Sequence, residues 1–153
     1  MPMIVVGADT FAGESILAQL DLAEREVRVF VTDETTGQHL KTLGYKVATG
    51  DVSDDSHVEG AAHQCFSAVL VAEAANDERE RSFADTPADV LKGWARAVAS
   101  AKVRRVIWVT DEQPPPTSVA EVATVNPNAQ DFPSRVIELD EASTLPGSDH
   151  STS

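Results

Sequence analysis

The chain has one cysteine, one tyrosine and no long apolar run, and each scarcity excludes a class of protein. A single cysteine, Cys65, excludes an internal disulfide and a metal site built from a cysteine cluster. The histidines offer no metal-ligand spacing either, since His57 and His63 do not share a helical face. No stretch approaches the ~18 consecutive apolar residues of a membrane span, and no secretory signal is visible. We therefore expect a cytoplasmic protein without metal or membrane contact.

Basic residues are also few, with 12 lysines and arginines against 25 aspartates and glutamates and a net charge of −13. Nucleic acid is not a predicted partner, because binding its phosphates requires a broad basic face. Five basic residues nevertheless cluster in a stretch without acids, namely Lys92, Arg96, Lys102, Arg104 and Arg105. This basic island is either a solvated face that complements a helix dipole or a docking patch for an acidic partner or a second copy.

Strand and helix signals alternate from Ile4 to Thr110. Apolar, β-branched runs at 3–6, 27–32, 45–49, 68–72 and 106–110 are typical of buried strands. Helical patterns separate them, including one that begins at Thr86 and Pro87. The alternation predicts one α/β domain, a Rossmann-like doubly wound parallel sheet in the strand order 3-2-1-4-5, over residues 1–112.

The composition changes after Asp111. The run Pro114-Pro115-Pro116 cannot be helical. We predict that residues 113–153 form a proline-rich extension, with an edge strand at 135–139 and a disordered polar tail from Asp140 onward.

The most informative motif is the glycine turn Gly7-Ala8-Asp9-Thr10-Phe11-Ala12-Gly13, directly after the first strand. A strand, a glycine turn and a helix begin a dinucleotide-binding unit, with the pyrophosphate at the helix N-terminus. Thr10 stands where the middle glycine is expected and brings a β-branched side chain to a place of close approach. Asp9 puts an anion beside the pyrophosphate, or else caps the first helix of a fold that has lost its ligand. Any dinucleotide binding is therefore predicted to be weak.

Four motifs together resemble the cofactor domain of the atypical short-chain dehydrogenase/reductases, particularly their NmrA-like branch. They are the turn 7–13, the strand 26–33, the segment 50–54 and the strand 103–110, so the resemblance covers about residues 3–111. The chain resembles a truncated and degenerate member of this family. The resemblance implies a site for NAD or NADP, with Asp51 and Val52 near the adenine ring and Ala72, Glu73 and Ala74 along the cofactor.

The end of the second strand determines the choice of cofactor in that family. An acid there binds the ribose diol, or an arginine binds a 2′-phosphate, and this chain has Val31 and Thr32 at those positions. Asp33 follows as a candidate ribose ligand. No residue here therefore supports a preference for NADP, and Asp33 alone supports a preference for NAD. The candidate cofactor-binding residues are Gly7, Asp9, Thr10, Phe11, Ala12, Gly13, Thr32, Asp33, Asp51, Val52, Ala72, Glu73, Ala74 and Thr110.

The catalytic residues of the family have no counterpart here. Its active members use a Tyr-x-x-x-Lys pair after strand five, in which the lysine lowers the pKa of the tyrosine. The single tyrosine, Tyr45, lies well before strand five, and no lysine follows Lys102. Thr110 lies where the family's catalytic serine or threonine segment often begins, but the tyrosine and lysine that would act with it are missing. We therefore assign no catalytic residue.

Three functions remain open for such a chain. The first is a small NAD(P)-binding Rossmann protein without dehydrogenase chemistry of its own, acting as a redox or nucleotide sensor or as an auxiliary subunit. The second is the cofactor-holding part of an oxidoreductase that a partner chain completes. The third is a structural interaction domain that binds no nucleotide.

The helix at 87–101 is the predicted assembly surface. Its apolar stripe, Val90, Leu91, Trp94 and Val98, lies beside Lys92 and Arg96, and apolar patches mark association sites. We expect a homodimer or a heteromeric complex with this helix in the contact.

Overall fold

The computed structural model describes residues 2–76 and 83–145. Within this part of the chain, all strands form one parallel sheet in the order 3-2-1-4-5-6. The strands are β1 (Met3–Val6), β2 (Val27–Val31), β3 (Lys46–Thr49), β4 (Ser67–Val71), β5 (Arg105–Val109) and β6 (Glu121–Val125). The helices are α1 (Phe11–Leu17), α2 (Glu34–Thr42), α3 (Asp55–Ala62), α4 (Pro87–Ser100) and α5 (Phe132–Glu141), with a 3-10 helix at Ala72–Asn76. The predicted Rossmann-like sheet is confirmed, and β6 extends it.

The central strands are buried on both faces and divide the core into two apolar layers. Alternate residues of a strand point to opposite faces, so Ile4 and Val6 pack with α3 and α4 while Met3 and Val5 pack with α1, α2 and α5. All residues of β1, β4 and β5 are buried. Among the described helices, none is long and apolar enough to cross a membrane.

The apolar stripe of α4 belongs to this core. Val90, Trp94 and Val98 are buried, and the Trp94 indole donates a hydrogen bond to Val52 O at 2.8 Å. Three of the four stripe residues are therefore not available to an interface, and the fourth, Leu91, is half-buried. The homodimer or heteromeric complex stays a prediction, and its contact would have to use the exposed side of α4, where Lys92 and Arg96 lie.

The edge strand predicted at 135–139 is wrong, because these residues lie in α5. Pro133, Val136 and Leu139 are its buried side chains, and their spacing of three follows a helix rather than a strand. The added strand is instead β6, which pairs in parallel with β5. The polar tail predicted from Asp140 also begins too early, because Asp140 and Glu141 end α5 and Leu145 is buried. The residues after Leu145 lie outside the described part.

One arginine of the basic island is not on the surface. Arg105 is only 1% exposed, and its guanidinium donates to Glu121 Oε1 from Nε at 2.7 Å. It also donates to the carbonyl oxygens of Leu139, Asp140, Ala142 and Ser143 at the end of α5. Arg105 therefore complements a helix dipole, that of α5, and the basic island is not a single solvated face.

Glu121 makes the stability of the fold depend on pH. Burial raises the pKa of its carboxyl, but the hydrogen bonds and charges of Arg105 and Arg104 outweigh burial and hold the pKa below its ordinary value. Because the folded pKa is the lower one, this contribution is complete above the ordinary glutamate pKa of about 4.3. It disappears as the pH falls through the folded pKa.

We therefore expect the stability difference between wild type and Glu121→Gln to be constant from pH 7 to about pH 5 and to shrink below about pH 4. Urea unfolding at each pH measures it. Glu112→Gln, at an exposed acid, is the control. A difference that stays constant down to pH 3 would contradict the role of this carboxylate.

Candidate dinucleotide-binding site

The backbone geometry requires glycine at both ends of the turn, at Gly7 and at Gly13. Gly7 has a φ of +89°, and a Cβ there would lie 2.9 Å from the Cβ of Ala74. A Cβ on Gly13 would lie 2.2 Å from Gly7 O, so any side chain would force α1 away from the turn. The chain thus keeps the two glycines that shape a dinucleotide turn and pack its helix against the strand.

Thr10, in place of the middle glycine, caps α1. Its hydroxyl donates to Gly7 O at 2.6 Å and accepts from the Gly13 N–H at 3.0 Å. The side chain is buried within the turn. Thr10 therefore links the two ends of the turn by hydrogen bonds, and it occupies the Gly13 N–H, one of the free amides at the start of α1.

Asp9 does not cap α1, and it does not lie on the amides of that helix. Its Oδ2 accepts from the Thr32 N–H at 2.9 Å and from the Asp33 N–H at 3.0 Å, both at the end of β2. The prediction that Asp9 puts its charge beside the pyrophosphate amides of α1, or caps this helix, is therefore wrong. Thr10 is the cap, and the described hydrogen bonds of Asp9 go to the end of β2. Its carboxylate instead lies where the second strand of a Rossmann unit meets the ribose.

Glu73 supplies the anion at the start of α1. Its Oε1 accepts from the Ala12 N–H at 3.0 Å. Glu73 lies in the 3-10 helix after β4, and β4 pairs with β1, so the sheet order brings the two segments together. In a Rossmann unit these amides hold the pyrophosphate, so the protein places its own carboxylate at that position.

The residues predicted near an adenine ring are engaged with the protein. Asp51 Oδ1 accepts from the Ser53 N–H at 2.8 Å and from the Ser53 hydroxyl at 2.6 Å. Val52 is fully buried, and its carbonyl oxygen accepts a hydrogen bond from the Trp94 indole. Asp33, the candidate ribose ligand, caps α2 by accepting from the Thr36 N–H at 2.8 Å. These three residues keep the loops after β2 and β3 in place.

A cavity of 650 Å³ opens at the carboxyl ends of β4 and β5. This is the edge at which parallel α/β sheets bind ligands, and the volume is in the range of small-molecule sites. The predicted site residues that line it are Phe11, Ala12, Ala72, Glu73 and Thr110. The other predicted residues form the turn, the end of β2 or the core and do not line it.

Residues that follow Thr110 and β6 also line the cavity, and none of them is among the predicted site residues. Pro127, Asn128 and Phe132 follow β6, and Asp111 to Gln113 follow β5. The signal that could have found them is the Asn-Pro-Asn turn directly after a short β-branched run, since the carboxyl ends of parallel strands meet at one edge. Phe11 is 85% exposed beside the cavity.

The cavity offers no proton donor of the family's type. Tyr45 lies away from it, with its hydroxyl donating to Leu17 O at 3.4 Å, and burial raises its pKa. A catalytic tyrosine needs the opposite shift. The connection from β5 to β6 is the proline-rich segment, and α5, which follows, contains neither tyrosine nor lysine. Thr110 lines the cavity, and its hydroxyl accepts from the Glu112 N–H at 3.1 Å.

Comparison with protein families identifies the class. A family model described as NAD(P)H-binding matches residues 7–126, so the chain belongs to this NAD(P)H-binding family. The match includes the glycine turn and runs through β6. Comparison with curated proteins finds no match.

Three solved structures that share the fold are named as reductases or oxidoreductases. An anaerobillin reductase from Escherichia coli, ChuY, is 20% identical with a TM-score of 0.56, over 72% of this chain and 50% of its own. The triphenylmethane reductase of Citrobacter sp., complexed with NADP(H), is 13% identical with a TM-score of 0.55, over 71% and 37%. An NADPH-dependent quinone oxidoreductase from Escherichia coli, complexed with NADPH, is 17% identical with a TM-score of 0.54, over 71% and 36%. The chain spans half or less of the length of these structures.

Proposed function

We propose that this chain binds a nicotinamide dinucleotide without carrying out hydride transfer itself, and that it acts as a redox or nucleotide sensor or as an auxiliary subunit. The observation that carries the proposal is the shaped turn of Gly7 and Gly13 beside a 650 Å³ cavity that contains no tyrosine. A bound nicotinamide dinucleotide supplies a hydride donor or acceptor, and this chain offers no tyrosine–lysine pair to accompany it.

The described residues fit a dinucleotide if one side chain moves. Gly7 and Gly13 give the turn the shape of a dinucleotide turn, and Phe11 and Ala12 line the cavity beside it. Glu73 opposes a second anion at the Ala12 N–H and has to release this amide when a pyrophosphate binds. Because Glu73 belongs to the 3-10 helix that packs against α4, its release couples binding to the position of that helix. Such a coupling is what a sensor needs.

A second candidate function is the cofactor-holding part of an oxidoreductase. The observation that favours it is the cavity itself, which is bordered by polar residues that follow β5 and β6, such as Glu112 and Asn128, and by Lys92 of α4. A partner chain would then supply the proton donor. The nucleotide-free interaction domain is the third candidate, and it is favoured by two carboxylates that occupy backbone amides: Glu73 accepts from the Ala12 N–H of the turn, and Asp9 accepts from the Thr32 N–H at the end of β2.

Calorimetry of the purified chain with NADH and NADPH, joined to a turnover assay, tests the proposal. We expect binding with a dissociation constant of about 10 μM to 1 mM, corresponding to about −7 to −4 kcal/mol. No oxidation of the dinucleotide with carbonyl substrates should exceed the rate of Thr110→Val. Turnover above that control would contradict the absence of hydride transfer, and no heat with either dinucleotide would favour the interaction domain.

A further inference from the structure

We infer that Asp9 is a specificity-determining residue, which selects a dinucleotide with a free ribose 2′-hydroxyl, NAD(H), over one with a 2′-phosphate, NADP(H). The inference rests on the proposed function, because it concerns which dinucleotide the same site takes. It uses the contacts of Asp9 and the position of the end of β2, and it does not depend on α1 or on Glu73.

The Asp9 carboxylate is held at the end of β2 by two backbone amides. One oxygen, Oδ2, accepts from both the Thr32 N–H and the Asp33 N–H, at 2.9 and 3.0 Å. The turn that carries Asp9 is fastened to the same strand, because the Gly7 N–H donates to Phe30 O at 3.0 Å. Strand and turn therefore fix the carboxylate from both sides, and its position is set before any ligand arrives.

These two amides are the donors that a 2′-phosphate would need. In a Rossmann unit the ribose 2′ position lies at the end of the second strand, about 20 residues after the glycine turn, and Asp33 is 20 residues after Gly13. A phosphate binds there through N–H donors and an arginine. The amides are already taken, so a 2′-phosphate has to displace the carboxylate or lie beside it as a like charge.

A 2′-hydroxyl meets the opposite situation. A carboxylate accepts hydrogen bonds only, and the ribose hydroxyl can donate one, so the pair is charge-assisted. Two more carboxylates follow the end of β2, since Asp33 caps α2 and Glu34 lies in its first turn. Their charges add to the repulsion of a phosphate and leave the hydroxyl unaffected. The chain therefore favours NAD(H), although two of its structural neighbours were solved with NADP(H) or NADPH.

The test compares NADH with NADPH, and ADP-ribose with 2′-phospho-ADP-ribose, by calorimetry on wild type and Asp9→Asn. ADP-ribose and its 2′-phosphorylated form lack the nicotinamide, so their affinities report the effect of the 2′ group without a contribution from the nicotinamide. We expect wild type to bind the 2′-hydroxyl form at least about tenfold more tightly, the effect of one charged hydrogen bond. In Asp9→Asn, which keeps an acceptor for the two amides but loses the charge, the ratio should fall to about 1–3 as the 2′-phosphorylated form gains affinity.

Asp21→Asn is the matched control. Asp21 also accepts a backbone N–H, from Ala23 at 2.9 Å, but it lies in the loop that leads into β2, at the opposite edge of the sheet. It should leave the ratio unchanged. Asp9→Ser, which frees both amides, should move the ratio in the same direction as Asp9→Asn.

Three results would overturn the inference, and they separate it from the proposed function. A wild type that binds NADPH as tightly as NADH, or a ratio that both Asp9 variants leave unchanged, removes the selection by Asp9 while dinucleotide binding stands. Binding of neither dinucleotide and neither fragment, by wild type and by both variants, removes the selection and the proposed function together.

Discussion

An Arg105→Met variant is expected to lose about 3–5 kcal/mol of folding stability, the cost of breaking a buried ion pair by removing one partner. The guanidinium is almost completely buried and holds Glu121 through Nε and Nη2 at 2.7 and 2.6 Å. Without it, Glu121 is a buried carboxylate that has lost its principal partner. The carbonyl oxygens at the end of α5 lose their donor as well. Urea unfolding followed by circular dichroism measures the loss.

Arg104→Met is the matched control for this variant. Arg104 lies next in the chain and pairs with the same carboxylate, at 3.2 Å, but its side chain is 60% exposed. Exposed pairs contribute about 0–1 kcal/mol, so this variant should lose little. Replacing both Arg105 and Glu121 by methionine should recover part of the loss, because no buried charge remains. Equal losses in Arg104→Met and Arg105→Met would show that burial of the pair does not matter.

The strand and helix pattern predicted most of the fold because the central strands are short, mostly apolar and buried on both faces. β6 and α5 were harder to predict for a physical reason. β6 is an edge strand that begins with Glu121 and exposes Thr124, so it lacks the apolar run of β4. Its first residue, Glu121, is buried and pairs with Arg105 in β5. A pair that forms across the sheet leaves no periodic signal in the sequence.

The glycine turn was predictable because φ and close packing restrict Gly7 and Gly13 to glycine. The direction of the Asp9 side chain was not, because it depends on the amides at the end of β2. The resemblance placed Glu73 near the cofactor, and the sheet order puts β4 beside β1. That its carboxylate accepts from Ala12, 61 residues away, follows only from the folded backbone.

A Glu73→Ala variant is expected to bind NADH about tenfold more tightly than wild type. Wild type must break the contact between the Glu73 carboxylate and the Ala12 N–H before a pyrophosphate can use this amide. A hydrogen bond to a charged group is worth about 1.5–3 kcal/mol, and part of that cost returns as hydration of the released carboxylate. A net cost of about 1.4 kcal/mol corresponds to the tenfold change. Calorimetry with NADH and with ADP-ribose measures it.

Glu73→Gln should give an intermediate gain, because its amide oxygen still accepts from Ala12 without carrying a charge. Glu112→Gln is the control for charge alone, since Glu112 also lines the cavity and no described hydrogen bond joins its side chain to α1. It should change the affinity by no more than about threefold, the effect of one exposed charge in solvent. If Glu73→Ala binds NADH no more tightly than wild type while both remain folded, the carboxylate does not compete with the dinucleotide. An equal gain in Glu112→Gln would instead assign the effect to the general acidity of the cavity, because of these two acids Glu73 is the one whose described hydrogen bond reaches the turn.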